Sequence, residues 1–538
     1  MVVRLFTCHR SDTLPDGRLA SPSIAFHSNI IARTNDKEME SPRFPVPLVP
    51  YSFLLCIQLL LLLQSAHSRP ISAPEPANYH TLDIAAWLIE TKTAPAPGRD
   101  EYEKRETKPR QTPWSVQVVH RDSLLVKDAA NATASYERRL EETLRRDARR
   151  VRGLEQRIEK RLRLNKDPAG SHENVAEVAA EFGGEVVSGM AQGSGEYFTR
   201  IGVGTPMREQ YMVLDTGSDV VWIQCEPCSK CYSQVDPIFN PSLSASFSTL
   251  GCNSAVCSYL DAYNCHGGGC LYKVSYGDGS YTIGSFATEM LTFGTTSVRN
   301  VAIGCGHDNA GLFVGAAGLL GLGAGLLSFP SQLGTQTGRA FSYCLVDRFS
   351  ESSGTLEFGP ESVPLGSILT PLLTNPSLPT FYYVPLISIS VGGALLDSVP
   401  PDVFRIDETS GRGGFIVDSG TAVTRLQTPV YDAVRDAFVA GTRQLPKAEG
   451  VSIFDTCYDL SGLPLVNVPT VVFHFSNGAS LILPAKNYMI PMDFMGTFCF
   501  AFAPATSDLS IMGNIQQQGI RVSFDTANSL VGFALRQC

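Results

Sequence analysis

No stretch of this sequence is long and apolar enough to be read as a membrane span. The longest apolar run, "YSFLLCIQLLLLL" at 51–63, is thirteen residues and contains Gln58, whereas a helix needs about 20 apolar residues to cross the hydrocarbon core. The closing "GFALRQC" has no hydrophobic tail, so a lipid-linked anchor is not expected. Phosphate-loop chemistry is excluded as well, because the glycines of "GLGAGLL" are not followed by Lys-Ser/Thr. His307 in "GCGHDNAG" has no partners at ligand spacing, so it reads as a structural loop residue, and no metal or other cofactor is expected. Helical periodicity is scarce beyond residue 184, where 428–445 is the clearest stretch.

At 538 residues the chain is too long for a single core, and two or three domains are expected. The apolar run at 51–63 is followed by Ala66 and Ser68 in the spacing that a signal peptidase reads. Residues 39–68 are therefore expected to be a signal peptide. Since Met39 gives that peptide a normal length, 1–38 reads as an over-extended start or an N-terminal extension. The cysteines are uneven: Cys8 and Cys56 stand apart, while twelve lie from Cys225 to Cys538, several of them in "CEPCSKC", "CNSAVC" and "CHGGGC". Such spacing suits disulfides or zinc. Entry into an oxidising compartment favours six disulfides, although spacing alone does not choose their pairing. Asn131 in "NAT" is the sole usable glycosylation sequon, because Asn240 and Asn375 precede Pro.

Charge divides the chain again. Residues 101–170 hold 18 Lys and Arg against 12 Asp and Glu, a net of +6, while 171–538 hold 16 against 31, a net of −15. Within the basic part, Leu140, Leu144, Val151, Leu154, Ile158 and Leu162 recur at helical spacing, which predicts an amphipathic helix over 136–164. A secreted chain meets little nucleic acid, so this arm reads as a removable prosegment, 69–185, complementary in charge to the acidic body.

From about residue 184 onward, short runs of Val, Ile, Phe, Tyr and Thr are punctuated by Gly, Pro, Asn and Asp, which predicts a mainly β body. Two of its turns share one pattern. "YMVLDTGSDVVWIQC" runs apolar residues into Asp215, Thr216 and Gly217, and "FIVDSGTAV" does the same at Asp418, Ser419 and Gly420. Singly, such a tripeptide is ordinary turn chemistry. The repeat goes further, since Gly321 in "GLLGLG" lies 106 residues after Asp215 and Gly513 in "SIMGN" lies 95 after Asp418. Two similar lobes related by a pseudo-twofold axis would bring the two carboxylates together, where like charges share one proton and can activate water.

These residues resemble the pepsin-like aspartic proteases, and more closely the plant nepenthesin-like group, including the "aspartic protease in guard cell" type. The resemblance runs from about residue 193 to Cys538 and implies an all-β, bilobal fold with a cleft between the lobes 186–375 and 376–538. It implies an aspartic endopeptidase with Asp215 and Asp418 as catalytic dyad. Ser218 and Trp222 match the residues following the first turn, and Thr421 follows the second. "YGDGS" matches the flap and supplies Tyr276, whose hydroxyl is expected to meet the Trp222 ring nitrogen. Thr216 and Ser419 match the hydroxyls that cross-brace the two turns. "VHRDSLL" at 119–125 matches a prosegment motif of the group. The resemblance also implies the pairs Cys225–Cys228, Cys231–Cys305, Cys252–Cys270, Cys257–Cys265, Cys344–Cys538 and Cys457–Cys499.

Plant xylanase-inhibitor proteins share this fold and cysteine style without catalytic competence, so a catalytically inactive binding protein of that kind is the rival reading. The expected partners are a polypeptide substrate and the chain's own prosegment as intramolecular inhibitor, with no nucleic acid and no stable membrane anchor, in a monomer. The secretory route leaves the cell wall, a vacuole or the endoplasmic reticulum open.

Overall fold

A computed structural model describes residues 78–87, 114–122, 132–166, 197–535 (except 277–278, 312, 314, 349–352 and 401) and 537–538. The expected signal peptide, the sequon at Asn131 and the Gly- and Glu-containing stretch 167–193, where removal of the prosegment is expected to cut, lie outside the described residues. Among the described residues no helix is long and apolar enough to cross a membrane.

The body is mainly β, as its punctuated apolar runs imply. The elements that position the site are, in chain order, β1 (Tyr79–Asp83), β2 (Ser115–His120), α1 (Ala132–Lys166), β3 (Tyr197–Val203), β4 (Arg208–Asp215), β5 (Trp222–Gln224), β6 (Gly269–Ser275), β7 (Tyr281–Phe293), β8 (Thr296–Ala310), β9 (Gly318–Gly321), β10 (Gly354–Phe358), β11 (Phe415–Val417), β12 (Thr424–Gln427), α2 (Thr428–Gly441), β13 (Leu465–Pro469), β14 (Phe502–Ala505) and β15 (Ser510–Met512). The long β7 alternates buried and part-exposed residues, the pattern of a strand with one face on the core. The helix expected at 428–445 forms but stops at Gly441, where the chain leaves helical geometry at Thr442.

The internal repeat is a repeat of strand connections. In the first half β4 runs parallel to β9, β9 antiparallel to β5, and β5 parallel to β8. In the second half β11 runs parallel to β15, β15 antiparallel to β12, and β12 parallel to β14. Each half thus ends its leading strand at an Asp turn and brings the apolar-Gly segment alongside it. Gly321 pairs with Asp215 across the β4/β9 ladder, and Gly513 follows Met512, whose carbonyl accepts from the Asp418 N–H at 3.1 Å.

Two pieces of the basic N-terminal arm are built into this body. β2 lies between β3 and β10, antiparallel to both, so Val118 pairs with Thr199 on one side and Gly354 on the other. β1 pairs with β13 in a separate two-stranded sheet. The sequence pattern gave no sign of either strand's partners. α1 follows the expected periodicity: Leu140, Leu144, Val151, Leu154 and Leu162 are buried and Ile158 is half-buried. Its first half packs with Ala422, Val423, Phe494 and Ile515, its second with Leu378, Phe381, Tyr383 and Ile416.

All twelve body cysteines are paired, but four of the six expected pairs are not the ones observed. The structure joins Cys225–Cys305, Cys228–Cys231, Cys252–Cys265 and Cys257–Cys270, and agrees on Cys344–Cys538 and Cys457–Cys499. Thus Cys225–Cys228, Cys231–Cys305, Cys252–Cys270 and Cys257–Cys265 are corrected. Burial sorts the partners. Cys225 extends β5, which runs alongside β8 with Ile223 opposite Cys305, so two fully buried thiols meet at a Cα separation of 5.3 Å. Cys228 and Cys231 are left together on the part-exposed turn. In the cysteine-rich stretch 252–270, the buried Cys257 and Cys270 share a core with Tyr272 and Phe286, while Cys252 and Cys265 lie on the solvent side.

Candidate active site

Three buried apolar residues lead into each Asp turn, Met212-Val213-Leu214 before Asp215 and Phe415-Ile416-Val417 before Asp418. Their burial carries both carboxylates inside, where Asp215 and Asp418 are each 0% exposed. A buried carboxylate is costly unless it is hydrogen-bonded, and the two turns meet that cost identically. Asp215 accepts from Gly217 N at 3.0 Å and Ser218 Oγ at 2.6 Å. Asp418 accepts from Gly420 N at 2.9 Å and Thr421 Oγ1 at 2.6 Å. The turns also hold each other: Thr216 N donates to Ser419 Oγ at 3.1 Å, and Ser419 N donates to Thr216 Oγ1 at 2.9 Å. The hydroxyls of Ser218, Thr421, Thr216 and Ser419 therefore all sit where the sequence motifs placed them.

A third charge completes the cluster. Arg150, in the middle of α1, points Nη2 between the carboxylates, donating to Asp215 Oδ1 at 2.6 Å and to Asp418 Oδ2 and Oδ1 at 3.2 and 3.3 Å. Both turn glycines are needed for this approach, since a Cβ at Gly217 would lie 2.8 Å from Arg150 Nη2 and one at Gly420 would fall on the same nitrogen. Burial pushes the Asp215 carboxyl up, but Arg150, Ser218 and the Gly217 N–H outweigh it and hold the group below its ordinary value. Burial likewise lowers Arg150, and its two carboxylates more than reverse that.

The hairpin expected to be the flap is β6 and β7, with Ser275 opposite Tyr281. Tyr276 closes its tip, and Trp222 Nε1 donates to the Tyr276 hydroxyl at 2.8 Å, as the motif match implied. Phe313 packs edge-on against both rings, and burial pushes the Tyr276 hydroxyl well above its usual range. Arg157 of α1 stands over the Tyr276 ring, 5.7 Å from its centre, so α1 spans from the two Asp turns to this hairpin.

Two further polar residues, Asp219 just after the first turn and the loop residue His307, lie outside this cluster. Asp219 is half-buried and accepts from Thr380 Oγ1 at 2.7 Å and Gly325 N at 2.9 Å. His307 bonds to Ser285 Oγ and the Pro227 carbonyl, in keeping with a structural loop residue. The sequence reading made the basic arm an inhibitor complementary in charge to the body without naming Arg150, and it passed over Asp147, Arg425, Asn514 and Gln517. Asn514 Nδ2 donates to the Ser419 carbonyl at 2.9 Å and Gln517 Nε2 to the Asp418 carbonyl at 3.3 Å, so they hold the second turn from behind. The signal for α1 was in "RRDARR", a lone acid three residues before Arg150 in a basic run.

Comparison with known proteins gives a family match, two relatives and a structural likeness. The family model described as xylanase inhibitor N-terminal matches residues 197–360, and that described as xylanase inhibitor C-terminal matches 381–535. The protein ASPARTIC PROTEASE IN GUARD CELL 2 of Arabidopsis thaliana is 52% identical over 79% of this chain and 88% of its own length. Aspartic proteinase nepenthesin-1 of Nepenthes gracilis is 43% identical over 64% of this chain and 79% of its own. Among solved structures, basic 7S globulin from soybean aligns with a TM-score of 0.51 at 23% identity, covering 64% of this chain and 94% of that one, which speaks for the fold.

Proposed function

Because the chain belongs to the pepsin-like aspartic proteases, in their nepenthesin-like plant group, we propose that this endopeptidase cuts peptide bonds with water held between Asp215 and Asp418, and that it is made as a precursor whose arm 69–185 blocks the cleft. The observation that carries this reading is Arg150 bridging two carboxylates held in matched frames of donors. With α1 gone, the pair shares one proton across the cleft. The ionised carboxylate takes a proton from water as the water attacks the peptide carbonyl. The protonated one donates to the carbonyl oxygen, and a proton then reaches the leaving nitrogen. Tyr276, positioned by Trp222, closes over the substrate.

The xylanase-inhibitor reading is favoured only by the descriptions of the two family models. A pure inhibitor does not need two cross-braced turns, both carboxylates and the flap hydrogen bond together. Pepstatin, which mimics the tetrahedral intermediate, is expected to abolish peptide hydrolysis by the acid-processed protein. Xylanase inhibition without pepstatin-sensitive proteolysis decides for the rival.

A shared proton requires acid, so kcat/KM is expected to peak on the acid side and to fall toward neutrality as the second proton leaves. A pH profile of peptide hydrolysis with its optimum above pH 8 rejects this. Tyr276→Phe keeps the ring but leaves Trp222 Nε1 without its acceptor. A hydrogen bond of about 1 kcal/mol corresponds to a roughly fivefold loss of kcat/KM, and an unchanged value removes Tyr276 from the mechanism.

For the rest of the chain we propose a signal peptide at 39–68, lobes at 186–375 and 376–538, and a monomer following the secretory route. The six disulfides support that route.

A further inference from the structure

Asp147 precedes Arg150 by three residues on α1, and every hydrogen bond to its carboxylate comes from the body. Arg425 Nη2 donates to Oδ2 at 2.5 Å, and the backbone N–H groups of Ala422 and Val423 donate to Oδ1 at 2.6 and 3.3 Å. These donors lie four, five and seven residues beyond Asp418, so the turn that positions one carboxylate of the dyad also positions them. Asp147 is 3% exposed and Arg425 4%. Arg425 Nη1 is buried with no hydrogen-bond partner of its own.

When α1 leaves the cleft, a guanidinium and two backbone donors lose their carboxylate while staying fixed to β12 and the Asp418 turn. We propose that they form a carboxylate-binding subsite of the activated enzyme, selecting an Asp or Glu side chain of the polypeptide next to the bond that is cut. The inference rests on reading Asp215 and Asp418 as the dyad. Three convergent donors without an acceptor suit an anion and no neutral side chain equally well. The spacing agrees. Asp147 and Arg150 are separated by about 4.5 Å of helix rise, and an extended substrate advances about 3.3 Å per residue, so the acidic side chain falls roughly one or two residues from the reacting carbonyl. Asp147 is, on this view, a stand-in for the substrate acid, as Arg150 is the stopper of the dyad.

The test uses peptide pairs differing only by Glu or Gln, with that residue moved through the three positions on either side of the cleaved bond. They are assayed at pH 5, where a free Glu with a pKa of about 4.3 is mostly ionised. At one position the acid-processed enzyme is expected to favour Glu in kcat/KM on the order of tenfold or more, the scale of a hydrogen bond to a charged group. The preference should shrink as pH falls through the Glu pKa. Arg425→Gln should bring the ratio to near one, and Arg425→Lys should keep part of it. Absence of a Glu preference at every position, or a preference that survives Arg425→Gln, overturns the subsite. If Arg425→Gln does not fold, the wild-type scan and its pH dependence still decide. Binding of the labelled pairs to a processed Asp215→Asn enzyme, followed by anisotropy, reads the same ratio without hydrolysis. A failed dyad and a missing subsite therefore give different results.

Discussion

Asp215→Asn and Asp418→Asn are each expected to remove peptide hydrolysis while leaving the protein folded. Asn keeps the size of the side chain, and its carbonyl oxygen can still accept from Gly217 N or Gly420 N. It can neither take a proton from water nor share one with its partner. General acid-base catalysis alone contributes on the order of 10²–10⁴ in rate, and neither carboxylate can act without the other, so the loss should reach at least the upper end of that range. The cross-brace between Thr216 and Ser419 does not involve the carboxyl groups. Near-UV circular dichroism and the two-lobe core should therefore be unchanged. The variants must be assayed after an added protease has cut the segment at 167–193, so that failure to self-process is not mistaken for loss of chemistry. Full activity in either processed variant ends the proposed mechanism.

How much of this was legible differs from residue to residue, for physical reasons. The Asp turns were legible because turn chemistry is local and a few consecutive residues fix which atoms meet, whereas Ser218, Thr421 and the Tyr276–Trp222 pair, the last spanning 54 positions, came from the family resemblance. The α1 face was legible because helical period is local too. What a helix lies against is not local. Arg150 differs from the other arginines of "RRDARR" only in the direction it faces across a groove formed by residues up to 268 positions away. Arg425 sits in an apolar-looking strand start, "AVTRL", and its role depends on a carboxylate 278 residues earlier. The disulfides failed for the same reason. Which cysteines meet depends on the β5/β8 register and on which side of the stretch 252–270 faces the core; cysteine spacing carries neither, and the pairs taken from the resemblance did not supply them. β2 is the sharpest case. Its sequence "SVQVVH" is an acceptable strand anywhere, and only the assembled sheet shows that it fills a central position between β3 and β10.

Arg150→Ala should unlock the precursor at a pH where the wild-type chain is stable. The guanidinium is buried with its two carboxylates, and removing one partner of a buried ion cluster costs about 3–5 kcal/mol, because charge is left uncompensated. That is roughly a hundredfold to several-thousandfold weaker docking of α1. Its exposed ion pairs, Arg161 with Asp261 and Glu159 with Arg412, cannot replace so much. Acid acts on the same contact. Asp215 is held below its ordinary value of 3.8 in the docked state, so its contribution to docking is complete above that value and is lost as pH falls through the docked one. Asp147 has the opposite sign. Burial beneath the docked helix pushes its carboxyl above 3.8 despite Arg425 and the two backbone donors, a desolvation penalty that a substrate carboxylate reaching the same donors in the opened, wetter cleft does not meet, so the contribution of Asp147 to docking is full below 3.8 and fades only as pH rises through the raised value. The two windows meet near 3.8. Wild-type α1 should therefore hold on mild acidification and let go steeply only below about pH 4, whereas Arg150→Ala should be cut within 167–193 already at pH 5–6. Release of α1 still leaves β2 hydrogen-bonded on both sides, and pulling it out exposes two strand edges. The cut arm should therefore co-elute with the body at first and leave more slowly than activity appears. Stepwise acidification, followed by N-terminal sequencing, gel filtration and peptide hydrolysis, measures all three. An Arg150→Ala chain processed at the same pH as wild type would show that this residue is not the stopper of the cleft.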